Sequence, residues 1–216
     1  MKSRFYHYLF LLLSLMPMQQ LPAEVVEANA VYHTTSGEKK IAMSVNNTYT
    51  RIIGPKDIPG DTPGTVKKLF GKWISCDFYI PEGTPHSGTN CPYEIYIGIH
   101  ENDGRLFLQS EKHYIHDPLL DIVEEVKTKT GLVYNMKQTS NLPEGKKNPS
   151  RRQRRREYVI DGEYIYVIQV TWRPENDSYP AELKMKMQKD FFEALSSIKI
   201  NGVKYEGVKE IKKLIP

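Results

Sequence analysis

The chain has 216 residues, 39% of them hydrophobic, with 30 lysines and arginines against 26 aspartates and glutamates. That length suits one domain with a real core. The net charge of +4 is too small for a protein that holds nucleic acid by charge alone, and no G-x-S-x-G, H-E-x-x-H or phosphate-loop pattern occurs.

Lys2 and Arg4 precede an apolar run centred on residues 9–16. The run is shorter than the roughly 20 residues a membrane span requires, and with its basic start it reads as a secretory signal peptide. Cleavage is expected after Ala23. The Ala28-x-Ala30 pattern offers an alternative end at residue 30, farther from the apolar run. No cysteine lies in this region, which argues against a lipoprotein. The mature chain is therefore expected in the periplasm or outside the cell, with no membrane span. Residues 31–216 are expected to form one domain with a flexible N-terminal segment. An even number of cysteines in an exported chain favours a bond between Cys76 and Cys91, restraining the turn-rich stretch 81–90.

In chain order, 31–40 is polar and expected to be poorly ordered, while 41–45 alternates as a half-buried strand does. Residues 48–53 are its expected hairpin partner, with Asn46-Asn47 as the turn. The prolines and glycines of 54–64 make a loop. Strands are expected at 73–80 and 93–102. Asp103-Gly104 then turns the chain so that Ile95, Ile97 and Ile99 share a face with Leu106 and Leu108. Asp117-Pro118 opens a predicted helix with Leu119, Ile122, Val123 and Val126 on one side and Gly131 at its end. Its carboxylates Asp121, Glu124 and Glu125 fall on the solvated side. Residues 141–150 are a polar loop.

A second hairpin is expected at Asp161-Gly162. Its return strand, 163–172, is apolar on both faces: Tyr164, Tyr166, Ile168, Val170 and Trp172 on one, Ile165 and Val167 on the other. That marks a central strand. Pro180 starts a last helix with Leu183, Met187, Phe191, Leu195 and Ile198 at core spacing. Asn201-Gly202 is a third hairpin turn before a short basic end. The expected class is α+β: an antiparallel sheet with two main helices packed on it.

Five arginines fall within six residues: Arg151, Arg152, Arg154, Arg155 and Arg156. Such a field attracts an acidic protein face or another anionic ligand. The competing reading is a solvated segment whose charge protects a sheet edge. His100, His113 and His116 lie near Glu101, Glu111 and Asp117; they are the place where a non-standard hydrolytic site could be sought. No metal or cofactor is expected.

Two segments resemble known families. The helix over 183–196 leading into Ser197-Ile198-Lys199-Ile200 is similar to the ending of PsbP-like α/β/α domains. Lys72-Trp73-Ile74-Ser75-Cys76-Asp77-Phe78-Tyr79-Ile80-Pro81 resembles the opening strand of periplasmic immunity proteins that neutralise lipase toxins of type VI secretion. Both resemblances imply a protein that works by binding. The expected function is thus an exported binding protein for another protein of the cell envelope, with toxin neutralisation as one form. An enzyme near His100 and an envelope protein holding an anionic polymer through the Arg run remain the alternatives.

Overall fold

Period-2 patterning, rather than helical periodicity, governs most of the described residues. The computed structural model describes residues 24–35, 37–46, 48, 50–57, 71–78, 91–101, 120–129, 131–138, 153–173 and 179–215. The strands are β1 (Val25–Thr34), β2 (Gly37–Asn46), β3 (Thr50–Asp57), β4 (Gly71–Phe78), β5 (Tyr93–Glu101), β6 (Leu120–Lys127), β7 (Gly131–Gln138), β8 (Gln153–Asp161), β9 (Tyr164–Trp172), β10 (Lys199–Ile200) and β11 (Val203–Lys204). Helix α1 spans Ala181–Ser196 and α2 spans Val208–Leu214. The α+β expectation holds in this coarse form, with sheet dominating. No described helix is long and apolar enough to cross a membrane.

Two antiparallel sheets result. The larger runs β3-β4-β5-β9-β8-β7-β6 and the smaller β1-β2-β10-β11. Strand β9 is central, between β5 and β8, as its two-sided apolarity predicts. Its register puts Tyr166, Ile168, Val170 and Trp172 beside Ile95, Ile97 and Ile99 of β5 and Ile74, Cys76 and Phe78 of β4. This face forms one core with Ala28, Ala30, Ile41, Met43 and Val45 of the smaller sheet.

Helix α1 lies along β2 and over β5. Of the expected stripe it buries Met187, Phe191 and Leu195, together with Ala194 and Asp190; Leu183 is half-buried, and Ile198 is buried just past the helix end. Phe191 meets Phe78 edge-on at 5.5 Å and stacks on Tyr93 at 5.0 Å. The helix starts at Pro180, whose carbonyl accepts from the Leu183 and Lys184 amides. It ends at Ser197, whose Oγ accepts from the Ser44 amide at 2.7 Å and so ties the helix end to β2. Asn201 (φ 50°) and Gly202 (φ 81°) make the predicted turn between β10 and β11. Asn201 also bonds the Tyr166 hydroxyl and the Lys40 amide.

Several expectations are corrected. Residues 31–34 and 37–40, expected to be poorly ordered, instead lie in the paired strands β1 and β2, whose register is continuous from Val25↔Asn46 to Thr34↔Gly37. Residues 50–53 do not pair with β2. They lie in β3, against β4. Strand β5 pairs with β4 on one edge and β9 on the other; the expected turn at Asp103-Gly104 and return strand 105–110 lie outside the described residues. The predicted helix after Pro118 is instead β6, paired with β7. The apolar spacing at 122, 123 and 126 mimics a helix because a bulge between Ile122 and Glu124 inserts one residue into an alternating strand. The chain turns there rather than ending a helix, and Gly131 serves a close approach: a side chain at 131 would run into the Tyr158 carbonyl. The Asp161-Gly162 turn holds with a one-residue shift, since Asp161 pairs with Tyr164 and the loop is Gly162-Glu163. The basic C-terminal end contains α2, so α1 is not the last helix.

Phe191 packs the helix onto Phe78 and Tyr93 of the larger sheet, inside the core that both sheets share. Phe191→Ala is expected to lower unfolding free energy by about 3–5 kcal/mol. Met185→Ala, on the exposed side of the same helix, should change it by under about 0.5 kcal/mol. Urea denaturation followed by circular dichroism measures both.

Candidate functional site

Alternation along β8 splits the arginine run between the two faces of the larger sheet. Arg151 and Arg152 lie outside the described residues. Arg155 points to the main-core face, opposite Val170. Arg154 and Arg156 point to the other face, opposite Thr171 and Gln169. The described part of the run is therefore not a solvated segment, which corrects that expectation: Arg155 is 9% exposed, and Arg154 and Arg156 are half-buried.

On the core face, Arg155 Nη2 donates to Glu157 Oε2 at 3.3 Å. The Tyr205 hydroxyl donates to the same carboxylate oxygen. Glu157 is itself buried. Burial, then the neighbouring Glu157 charge, raises the Tyr205 phenol far above its ordinary range, so it stays a donor. This cluster anchors the segment before α2 to β8. The Arg155 Nε is buried without a hydrogen-bond partner among the described residues, so the ion pair is held by one arm of the guanidinium.

The opposite face is a second, more polar layer. Its apolar part is Leu132, Tyr134, Tyr158, Ile165 and Val167, with Tyr96 packed against it. Tyr134 and Tyr158 meet edge-on at 5.9 Å. Arg156 Nε donates to Gln169 Oε1 at 2.7 Å, and its Nη1 reaches the Tyr158 hydroxyl at 3.3 Å. Reading across the strands, Tyr134, Arg156, Gln169, Tyr96 and Ser75 are directly opposed in sequence. At the β3–β4 side, Trp73 stacks on Tyr96 at 5.5 Å and 24°, and the Lys56 ammonium sits 5.7 Å from the Trp73 ring. Lys56 and Arg51 are exposed, whereas Trp73 and Tyr96 are half-buried. Burial raises the Asp77 carboxyl; the Arg51 charge and a Ser75 hydrogen bond partly offset this.

His100 is on this face as well, opposite Ile165, and is buried. Burial, with the Arg156 charge adding to it, pushes its imidazole down to about 3. It is neutral at physiological pH and a poor base, since an effective general base has a pKa near the working pH. His113 and His116 lie outside the described residues. Of the carboxylates near that predicted site, Glu101 accepts from the Tyr32 hydroxyl at 2.6 Å. Glu124 and Glu125 are exposed on β6, and Glu124 accepts from the Asn135 amide at 2.6 Å. Among the described residues, no group of three or more His, Cys, Asp or Glu side chains is placed to hold a metal ion.

Cys76 and Cys91 are free thiols, which corrects the expected bond. Cys76 faces the core on β4, opposite Ile95. Cys91 Sγ instead donates to the Phe78 and Tyr93 carbonyls. Phe78 is two residues farther along β4 than Cys76, a displacement of about 7 Å. Burial raises the Cys76 thiol to about 12 and raises Cys91 as well, so both stay protonated and unreactive.

Sequence reading missed Glu157 and Tyr205, because their contact spans 48 positions and leaves no local pattern. The Trp73–Tyr96 stack was within reach: alternation from Ile74 and Ile95 places both rings on the face away from the main core.

Two measurements test this geometry. Arg155→Met leaves the Glu157 carboxylate buried and uncompensated, so a loss of about 3–5 kcal/mol is expected. The double variant Arg155→Met/Glu157→Leu should recover most of it; a double variant as unstable as the single would show that the charges are not coupled. For His100, the folded value of about 3 lies below the ordinary 6.5. The stability it contributes is complete above pH 6.5 and lost as pH falls toward 3. Between pH 6.5 and 5 the natural protein should lose about 2 kcal/mol more than His100→Gln, at roughly 1.4 kcal/mol per pH unit. Equal acid slopes in denaturant titrations would refute the burial of a neutral imidazole.

Comparison of the chain with protein-family models, with curated proteins and with solved structures finds no match.

Proposed function

We propose that the chain is an exported binding protein whose partner is another protein of the cell envelope. The contact is the part of the polar face that carries Lys56, Trp73 and Tyr96 together with Arg154 and Arg156. The observation that supports this most is the Trp73–Tyr96 stack under the Lys56 ammonium. Large aromatics at an accessible face beside guanidinium groups are the side chains that carry most binding energy at protein interfaces. Basic groups at Arg51, Lys56 and Arg154 favour a partner that presents carboxylates, by steering encounter more than by adding affinity. An anionic ligand remains compatible with the same charges.

Processing after Ala23 fits the same reading. Strand β1 begins at Val25, and Ala28 and Ala30 are both core residues. Cleavage after Ala30 would remove more than half of that strand. Neutralisation of a lipase toxin is the form of binding that the resemblance of 72–81 suggests. The hydrolase reading is weakened at His100 by the imidazole's low basicity, since a base there would be protonated too weakly to serve near neutral pH.

Cross-linking in intact cells, followed by mass spectrometry of the isolated adducts, tests the proposal. Wild-type protein is expected to give a specific envelope-protein adduct. Trp73→Ala should lose it, and Arg154→Gln should reduce it several-fold at low salt and less at high salt. Thermal melts of both variants establish that they remain folded. No adduct from the wild type, or an adduct indifferent to folded Trp73→Ala, would overturn the proposal.

A further inference from the structure

Among the described residues the two sheets end in four edge strands, β3, β6, β1 and β11, and these are built differently. β3 carries Pro55, a bulge between Ile53 and Lys56, and exposed Arg51 and Lys56. β6, at the opposite edge of that sheet, carries a bulge and the exposed charges of Glu124, Glu125 and Lys127. β11 has only two residues. Each is a device that discourages another strand from adding on. β1 has no proline and no bulge, and it keeps register with β2 over all ten residues.

The hairpin also fixes which backbone groups of β1 face outward. Its loop has two residues, between Thr34 and Gly37. In such a hairpin the closing pair exchanges both hydrogen bonds, and bonded pairs alternate from there. Tyr32, Ala30, Ala28 and Val26 therefore bond to β2. The amides and carbonyls of Val25, Glu27, Asn29, Val31 and His33 point away from it. Among the described residues, no strand other than β2 pairs with β1.

We infer that this edge is a self-association site: a second copy of the chain pairs with β1 antiparallel, joining the two smaller sheets across a two-fold axis. The sequence of the edge is self-complementary about Asn29. With the axis there, Asn29 opposes Asn29 of the second copy, Glu27 opposes Val31, and Val25 opposes His33. Every outward amide and carbonyl of these residues then finds a partner, because the residues that face each other are all outward-bonding ones. No like charges are opposed, and the Glu27 carboxylate already has the Lys40 ammonium at 2.6 Å within its own chain. A two-fold contact of this kind uses the same patch twice and closes on itself, so it yields a dimer rather than a fibre. One strand pair makes a small interface by the standard of stable complexes, so the dimer is reversible and depends on concentration.

Sedimentation velocity of the purified protein over micromolar concentrations reads the equilibrium. A shift from monomer to dimer is expected as concentration rises. Asn29→Lys sets two ammonium groups face to face, and Asn29→Pro removes an outward donor without removing a bond to β2. Both should weaken dimerisation by about tenfold or more, with far-ultraviolet spectra unchanged. Asn29→Cys should be linked into a covalent dimer by a short bismaleimide; Val203→Cys, on the exposed edge of β11, should not. The cross-link reads the contact even if the lysine or proline variant folds poorly. A monomer at every concentration, a dimer that folded Asn29→Lys leaves intact, or no Asn29→Cys cross-link would overturn the inference. A monomer that loses a protein partner on Asn29→Lys would assign the edge to that partner's strand and would equally overturn it.

Discussion

The structure depends on β9 being buried on both faces. A strand that carries Tyr166, Ile168, Val170 and Trp172 on one side and Ile165, Val167, Gln169 and Thr171 on the other cannot slip by one residue without exchanging two different environments. That locks β5 and β8 beside it. They in turn set β4 and β7, and thereby fix which face each member of the arginine run must take. The main core, the polar layer and the split of Arg155 from Arg154 and Arg156 all follow from this register.

The legible part of the fold was the part with uninterrupted alternation or uninterrupted helical spacing. β4, β5, β9 and α1 could be read because each keeps one period from end to end. The stretch after Pro118 could not, because the bulge in β6 breaks the alternation and leaves apolar residues three and four apart, the spacing of a helix. Pairing was harder still. Nothing local distinguishes a strand whose partner precedes it from one whose partner lies farther along the chain, so the sequence predicts pairing of 50–53 with β2 where the structure has β4. The turn at Asn201-Gly202 was legible from two residues, but its role was not: it links Tyr166 and Lys40, which no window of sequence contains.

The arginine run shows how charge density can mislead. Five arginines within six residues read as one electrostatic object, yet a strand separates neighbours by direction. Arg155 is committed to Glu157 and, through it, to Tyr205. Arg156 is committed to Gln169 and Tyr158. Local composition thus describes the field far from the protein better than it describes what each side chain touches. The candidate contact surface owes as much to Trp73 and Tyr96 as to the arginines.

Pairing of β10 with β2 joins Ile200 to Ile41 and Lys199 to Ala42, positions from opposite ends of the chain. A sheet closed by such a distant pair is a late event in folding, because the loop it closes must be ordered before the contact rewards it. The inner edge of the β1–β2 hairpin can be filled only once residues 199 and 200 have been synthesised. Until that pairing forms, the smaller sheet lacks one of its strands, and strand edges left unpaired during folding are where chains misassociate.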